Sequence, residues 1–443
     1  MRLTKNVLVY KKEFQNLPQK LLLKNGHFID PANKLDRKGD ILIENGIITA
    51  IDKVSTDGFD GETIDLNGKT VSPGWMDMHV HLREPGREDE ETVVSGCLAA
   101  ANGGFTAVCC MPNTEPPIDS QEIIQYLKDR SNGLLVNVHP IAAITKGRKG
   151  AELVEMLELV EQGAVAISDD GNPVMSAEIM RRALEYSKMV DIPVIGHEED
   201  KTMTESGHMN EGFVSTRLGL KGIPSVAEEI MIARDIMLAE YTGGRFHVAH
   251  ISTKGAVELV RQAKAKGINV TAEATPHHFA LNDEAVIGYD TFTKMHPPLR
   301  AEDDRKAVIN GLKDGTIEVV ATDHAPHSWE EKATEFIQAP FGIIGSETAA
   351  GLSLSHLFHK DILDMKSLIN KFVAHPYKIL NLDCPQLRKG NPANLTIFNA
   401  ELKWTVDMKN FLSKSTNSPF IGMKLKGKPY AVINNNKIFV SIL

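Results

Sequence analysis

Residues 75–83 read WMDMHVHLR, and the reading of the whole fold starts from this stretch. It opens a series of eight short apolar runs. The others are TAVCCMP (106–112), LVNVHPIAAI (135–144), AVAISDD (164–170), PVIGHEED (193–200), RFHVAHIS (245–252), NVTAEATP (269–276) and IEVVATDHAPH (317–327). Each has the length of a buried strand. Between them lie amphipathic stretches such as SAEIMRRALEYSKMV and STKGAVELVRQAKAKG, the second ending at Gly267, a helix stop. Eight strand–helix units predict an α/β fold, a (β/α)8 TIM barrel over residues 73–380. An open doubly wound sheet is the runner-up. No G-x-G-x-x-G follows a strand and no G-x-x-x-x-G-K-[ST] occurs, so its nucleotide-binding versions lose support.

The flanks read differently. LLLKNGHFID, GDILIENGIITAID and TIDLNGKTVSP in residues 20–72 carry β alternation broken by Asn-Gly or Gly, a hairpin signal. ANLTIFNA and LKGKPYAVINNNKIFVSIL repeat the pattern near the other end. A small β-sandwich domain built from both chain ends, residues 1–72 and 381–443, is the expectation. The 443 residues carry 49 Lys and Arg against 58 Asp and Glu, a net charge of −9. That balance argues against a nucleic-acid surface and against binding to an anionic membrane. No apolar run is long enough to span a bilayer, and MRLTKNVLVYKKEF has no signal-peptide core. Cys97, Cys109, Cys110 and Cys384 read as reduced thiols of a cytoplasmic protein.

On a strand, residues i and i+2 face the same way, so His79 and His81 point together. Taken alone, this His-x-His reads as well as two buried, hydrogen-bonded histidines. The later strands change the balance. The fifth ends at His197, the sixth at His250, the eighth at Asp323 and the fourth at Asp169-Asp170. In a barrel these carboxyl ends share one rim. So many polar groups buried together without a ligand would be costly. Nitrogen and oxygen donors without a thiolate suit Zn²⁺, and also Mn²⁺ or Co²⁺. Six ligands exceed the need of one catalytic zinc. They suit two ions that share a carboxylate and a hydroxide, which points to hydrolysis. His139, His277 and His278 read as packing or supporting residues, and His27, His208, His356, His359 and His375 lie off the rim.

This constellation resembles the amidohydrolase superfamily. MDMHVHLREPG (76–86), GGFTAVCCMPNT (103–114), SDDG (168–171), HISTKG (250–255), ATPHH (274–278), PPLR (297–300), ATDHAPH (321–327) and APFGIIGSET (339–348) resemble bacterial class I dihydroorotase. DLNGKTVSPG (65–74) and SPFIGMKLKGK (418–428) are similar to the same family's domain junction and β-domain. The similarity runs over residues 20–440. The resemblance implies interconversion of dihydroorotate and N-carbamoyl-L-aspartate, a step of pyrimidine synthesis. It implies His79, His81, Asp170, His197, His250 and Asp323 as metal ligands, with two Zn²⁺ per subunit bridged by Asp170 and a hydroxide nucleophile. Asp170 is preferred to Asp169 because its spacing to the strand-5 histidine fits the family's and neighbouring strand residues cannot both face the metals. Related hydantoinases and some dihydroorotases use a carboxylated lysine there, and AVAISDD has none.

The same resemblance makes Asp323 the general base and acid. Arg83 would bind the substrate carboxylate. Asn113, His327 and backbone groups near Phe341 and Gly342 would complete the substrate site. In Lys294-Met295-His296-Pro297-Pro298, His296 replaces the family's common Asn. It can donate a hydrogen bond, with a different reach. A homodimer and association with aspartate carbamoyltransferase are expected by family analogy. A hydantoinase or allantoinase acting on another cyclic ureide is the alternative, opposed by Arg83, HLREPG, MPNT and the missing lysine. A non-catalytic homologue kept as a structural partner is opposed by the full ligand set.

Overall fold

The computed structural model describes residues 13–443, apart from 53, 56 and 57. Residues 1–12, including most of the stretch read as lacking a signal-peptide core, lie outside the described residues. Eight parallel strands follow in chain order: β1 (Trp75–Val80), β2 (Phe105–Cys110), β3 (Asn137–Ala142), β4 (Ala166–Ser168), β5 (Val194–Gly196), β6 (Phe246–Val248), β7 (Val270–Ala274) and β8 (Val319–Val320). Each pairs with its neighbour in sequence, and the ring closes just past β8. There His324 bridges Val80 in parallel, and its carbonyl accepts from His81 N at 2.9 Å. The expected (β/α)8 architecture is therefore the observed one.

Alternation sorts the strand side chains. On β2, Ala107 and Cys109 cluster with Met76, Met78, Ile195 and Val319 from other strands, inside the barrel. Val108 and Cys110 face the other way and pack among helix residues. The helices begin where the sequence caps them. Ser176 accepts from Ile179 N at the start of helix Ala177–Met189, and Thr253 accepts from Ala256 N at the start of helix Lys254–Ala265. The second helix buries Ala256, Val257, Val260 and Ala263 on one stripe. Gly267, at φ 79°, lets the chain turn away. Among the described residues no helix is long and apolar enough to cross a membrane.

Strands from both chain ends form a separate nine-stranded sheet, as expected. It has a core of its own that includes Leu21, Phe28, Ile41, Ile397 and Ile433. Asn45 and Gly46, both at positive φ, turn the hairpin between strands Leu35–Glu44 and Ile47–Asp52. A second Asn-Gly pair corrects the sequence reading. Asn25-Gly26 makes no hairpin, because strand Lys20–Asp30 runs straight through it with a register shift between Leu23 and Gly26. Asn25 is held there from two sides: its backbone N–H donates to Asp40 at 2.9 Å, and its amide donates to Asp65 at 3.0 Å. The pair is a bulge between two partner strands.

Trp75 joins the two units. Its backbone N–H donates to Thr396 Oγ1 of the end sheet at 3.1 Å, and its indole N–H donates to Ser72 Oγ at 2.8 Å. The ring stacks on Phe372 at 4.7 Å and meets Phe398 at 5.2 Å. Trp75→Ala should cost about 3–5 kcal/mol of stability, the range for emptying a large aromatic from a packed core. Denaturant unfolding measures it, and a loss under about 1 kcal/mol would show that the junction repacks without the ring.

Candidate metal centre

The strand ends deliver the site side chains to one mouth of the barrel. Three of the residues just past the strands, Arg83 (φ 61°), His250 (φ 31°) and Asp323 (φ 49°), hold left-handed backbone. Such strain in non-glycine residues concentrates where function requires it. It turns these side chains toward a cavity of about 330 Å³.

Asp170 lies at the centre of the cluster. Its Oδ1 is 3.4 Å from His79 Nε2, 3.6 Å from His197 Nδ1 and 3.6 Å from His250 Nε2, and its Oδ2 is 3.5 Å from His81 Nε2. Asp323 Oδ1 stands 3.0 Å from His81 Nε2 and 3.5 Å from His79 Nε2. His197 Nδ1 and His250 Nε2 are 3.0 Å apart. All six side chains are buried. Burial pushes the Asp170 carboxyl up, but the His79 charge and the nearby His197 and His250 imidazoles outweigh it and hold it well below the usual carboxylate range. Asp323 follows the same logic: burial opposes ionisation, and His81 and His79 favour it.

The arrangement fits divalent cations. His79 Nε2 and Asp170 Oδ1 are buried without a hydrogen-bond partner, and they face each other across the cluster. Orphaned buried donor and acceptor atoms of this kind call for a ligand. His79, His81 and Asp170 form one metal-capable group, and Asp170, His197 and His250 form another, with Asp170 common to both. The neighbouring Asp169 is engaged elsewhere, accepting from Ile144 N and Thr145 N at 2.9 and 3.0 Å.

The remaining sequence-selected residues line the same cavity. His81 Nδ1 meets Asn113 Oδ1 at 2.7 Å, so Asn113 orients a histidine as well as facing the cavity. Arg83 lies beside His327, with Nη2 and Nε2 3.3 Å apart. His327 Nε2 also meets the Phe341 carbonyl at 2.8 Å. Gly342 N donates to Lys294 O at 3.0 Å, and its carbonyl accepts from Asn417 at 3.1 Å. Both backbone groups expected to face a ring thus have partners inside the chain. His296 stacks on His197 at 5.3 Å and pairs through Nε2 with Glu199 at 3.1 Å. Its Nδ1 is buried without a partner. Of the supporting histidines, His278 is bonded to Thr275 and the Pro297 carbonyl, while His277 Nε2 is buried and unpartnered.

Sequence reading missed the acids around the histidines. Glu273 on β7 is fully buried and holds His79 Nδ1 at 2.6 Å and His247 Nε2 at 3.3 Å. Burial opposes its charge, yet the two histidines bring its carboxyl down to about 2. The available signal was a glutamate inside the apolar run NVTAEATP. The run REPGREDEE (83–91) reads as a solvated charged loop, yet Glu84, Glu90 and Glu91 are all buried.

A family model described as Dihydro-orotase-like matches residues 68–256. The chain is 51% identical to a dihydroorotase of Pelotomaculum thermopropionicum over 95% of its own length and 98% of that protein. It is 50% identical to a dihydroorotase of Geobacter metallireducens over 94% and 99%. Its backbone is similar to that of an L-hydantoinase from Arthrobacter aurescens, with a TM-score of 0.84, 22% identity and coverage of 95% and 96%. At that identity the likeness shows the fold alone.

A carboxylate on the far nitrogen of a ligand histidine fixes its tautomer and orientation. Glu273→Gln should therefore weaken divalent-ion binding about 10- to 100-fold, measured by competition with a chelator. Wild-type affinity in that variant would show that His79 is oriented without Glu273.

Proposed function

The chain belongs to the dihydroorotase family, hydrolases that act on cyclic amides, and we propose that it opens and closes the ring of dihydroorotate with zinc as its metal. The reading rests on one juxtaposition: five of the six ligands of the cluster and the half-buried guanidinium of Arg83 line the same cavity. A cyclic amide bearing a carboxylate needs both. His79, His81, Asp170, His197, His250 and Asp323 would hold two ions, with Asp170 shared between them. Zinc supplies Lewis-acid polarisation of the ring carbonyl and activation of water. The catalytic unit is residues 73–380, with 1–72 and 381–443 as the accessory β-domain.

The chain's own groups do the rest. Asp323 turns Oδ1 toward His79 and His81, which leaves Oδ2 to take the proton of the attacking water. The same oxygen returns that proton to the departing ring nitrogen. Condensation runs the transfer backwards through the same residue, as microscopic reversibility demands. Arg83 offers a planar fork to the substrate carboxylate, with His327 beside it. Asn113 holds His81 and closes one side of the cavity. The Phe341 and Gly342 carbonyls each keep a second lone pair for the ring's N–H edge. His296, its Nε2 held by Glu199, forms part of the cavity wall where the family commonly has an amide.

Asp323→Asn keeps the size and one coordinating oxygen but cannot accept the proton. Both directions should slow about 100- to 10,000-fold, with zinc at least partly retained and the fold intact. Rates of hydrolysis and condensation, with metal content from the same preparation, test this. A metal-loaded variant keeping more than about a tenth of wild-type activity would move the proton to another residue, His327 first.

Arg83→Met should leave the zinc content intact and cut kcat/KM for dihydroorotate by about 2–4 kcal/mol of transition-state binding. Turnover of a cyclic ureide without the carboxylate should change far less. Equal losses on both substrates would give Arg83 a structural role and favour the hydantoinase-type alternative.

A further inference from the structure

Among the described residues Glu90 is the one carboxylate paired with both Arg83 and His327, and it does not line the cavity itself. It is 1% exposed. Its Oε2 lies 3.0 Å from Arg83 Nε, and its Oε1 lies 2.9 Å from His327 Nδ1. Building on the carboxylate-binding reading of Arg83, we propose that Glu90 is a positioning residue for substrate recognition. One oxygen sets the guanidinium and the other sets the imidazole, so that the guanidinium fork, with the imidazole beside it, meets the dihydroorotate carboxylate.

The bonding pattern supports this. Arg83 Nε is used by Glu90 and by the Pro326 carbonyl at 3.0 Å, which leaves the Nη1–Nη2 edge for a bidentate contact. His327 Nδ1 meets a carboxylate, which only accepts, so that nitrogen carries a proton. Its Nε2 then points to the Phe341 carbonyl and to the Arg83 fork, at the cavity wall. Glu90 also opposes a competitor. The Asp323 and Asp170 carboxylates attract Arg83 as well, and a guanidinium free to swing would pair with them. Holding Nε fixes the fork away from the metal ligands.

Glu90, His327 and Glu331 could also hold an ion by distance alone. Arg87 already supplies the positive charge, with Nη2 3.1 Å from Glu90 and 2.8 Å from Glu331. The cluster is an ion-pair network leading to the substrate end. Glu90 is itself fastened from the C-terminal segment, because Ser415 Oγ donates to its carbonyl at 2.8 Å.

Glu90→Gln keeps the shape, but its amide nitrogen cannot accept, so it can serve only one of the two donors. KM for dihydroorotate should rise about 10- to 100-fold, as for other groups freed from a supporting partner, with kcat changed far less. Zinc content and melting temperature should match the wild type. In an Arg83→Met background the same change should add little, because the group it sets is gone. Glu90→Asp keeps the charge but is one methylene short of spanning both partners. It should show the same KM signature, and it decides the matter if the Gln variant does not fold. A wild-type KM in Glu90→Gln and Glu90→Asp, alongside a raised KM in Arg83→Met, would overturn the positioning role and leave the carboxylate reading standing. A full additional KM effect in the Arg83→Met background would also overturn it. An unchanged KM in Arg83→Met itself would instead sink the carboxylate reading.

Discussion

Burying the Asp170 carboxylate is costly unless donors or positive charge meet it. Four imidazoles do so, from β1, β5 and β6, and the eighth strand adds Asp323. That concentration of polar groups can exist only where several strand ends converge and where a cation completes the balance. The barrel supplies the convergence: parallel strands aim all their carboxyl ends at one mouth. Its closure through His324 brings β1 and the segment after β8 together, which places His81 beside Asp323.

Around this centre the acids are graded by what they hold. Glu273 and Asn113 fix His79 and His81 from behind. Glu90 reaches Arg83 and His327. Glu91 accepts from Ser413 Oγ and pairs with His324 at 3.3 Å, next to Asp323. Glu84 accepts from Val93 N at 2.8 Å and so caps helix Val93–Asn102, while it also binds Arg130. The nine residues 83–91 thus tie the mouth to a helix, to His327 and to the C-terminal segment.

The end sheet takes part in this order. Asn417 donates to the Ala325 and Gly342 carbonyls at 3.0 and 3.1 Å, and it accepts from His327 N. Glu347 accepts from Asn102 and from Leu412 N, both at 2.7 Å. The residues leading into strand Lys424–Asn434 therefore brace the loops that carry His327 and Gly342. A segment from the far end of the chain thus braces the loops of the cavity wall from behind.

What the sequence determined is what depends on period and chain order. Eight apolar runs with helical intervals specify the barrel, because each run is short, buried and followed by its own crossover. His79 and His81 could be placed together because alternation along a strand is local geometry. Asn45-Gly46 could be read as a turn for the same reason. Tertiary structure decided the rest. Asn25-Gly26, the same dipeptide, is a bulge because strand Leu35–Glu44 pairs with the chain both before and after it. Glu84, Glu90 and Glu91 look like surface charges in REPGREDEE, and they are interior because partners from distant positions arrive to neutralise them. Whether a charge is solvated or buried depends on what packs over it. For these residues the side-chain partners lie as far as 322 positions along the chain, beyond the reach of any local pattern.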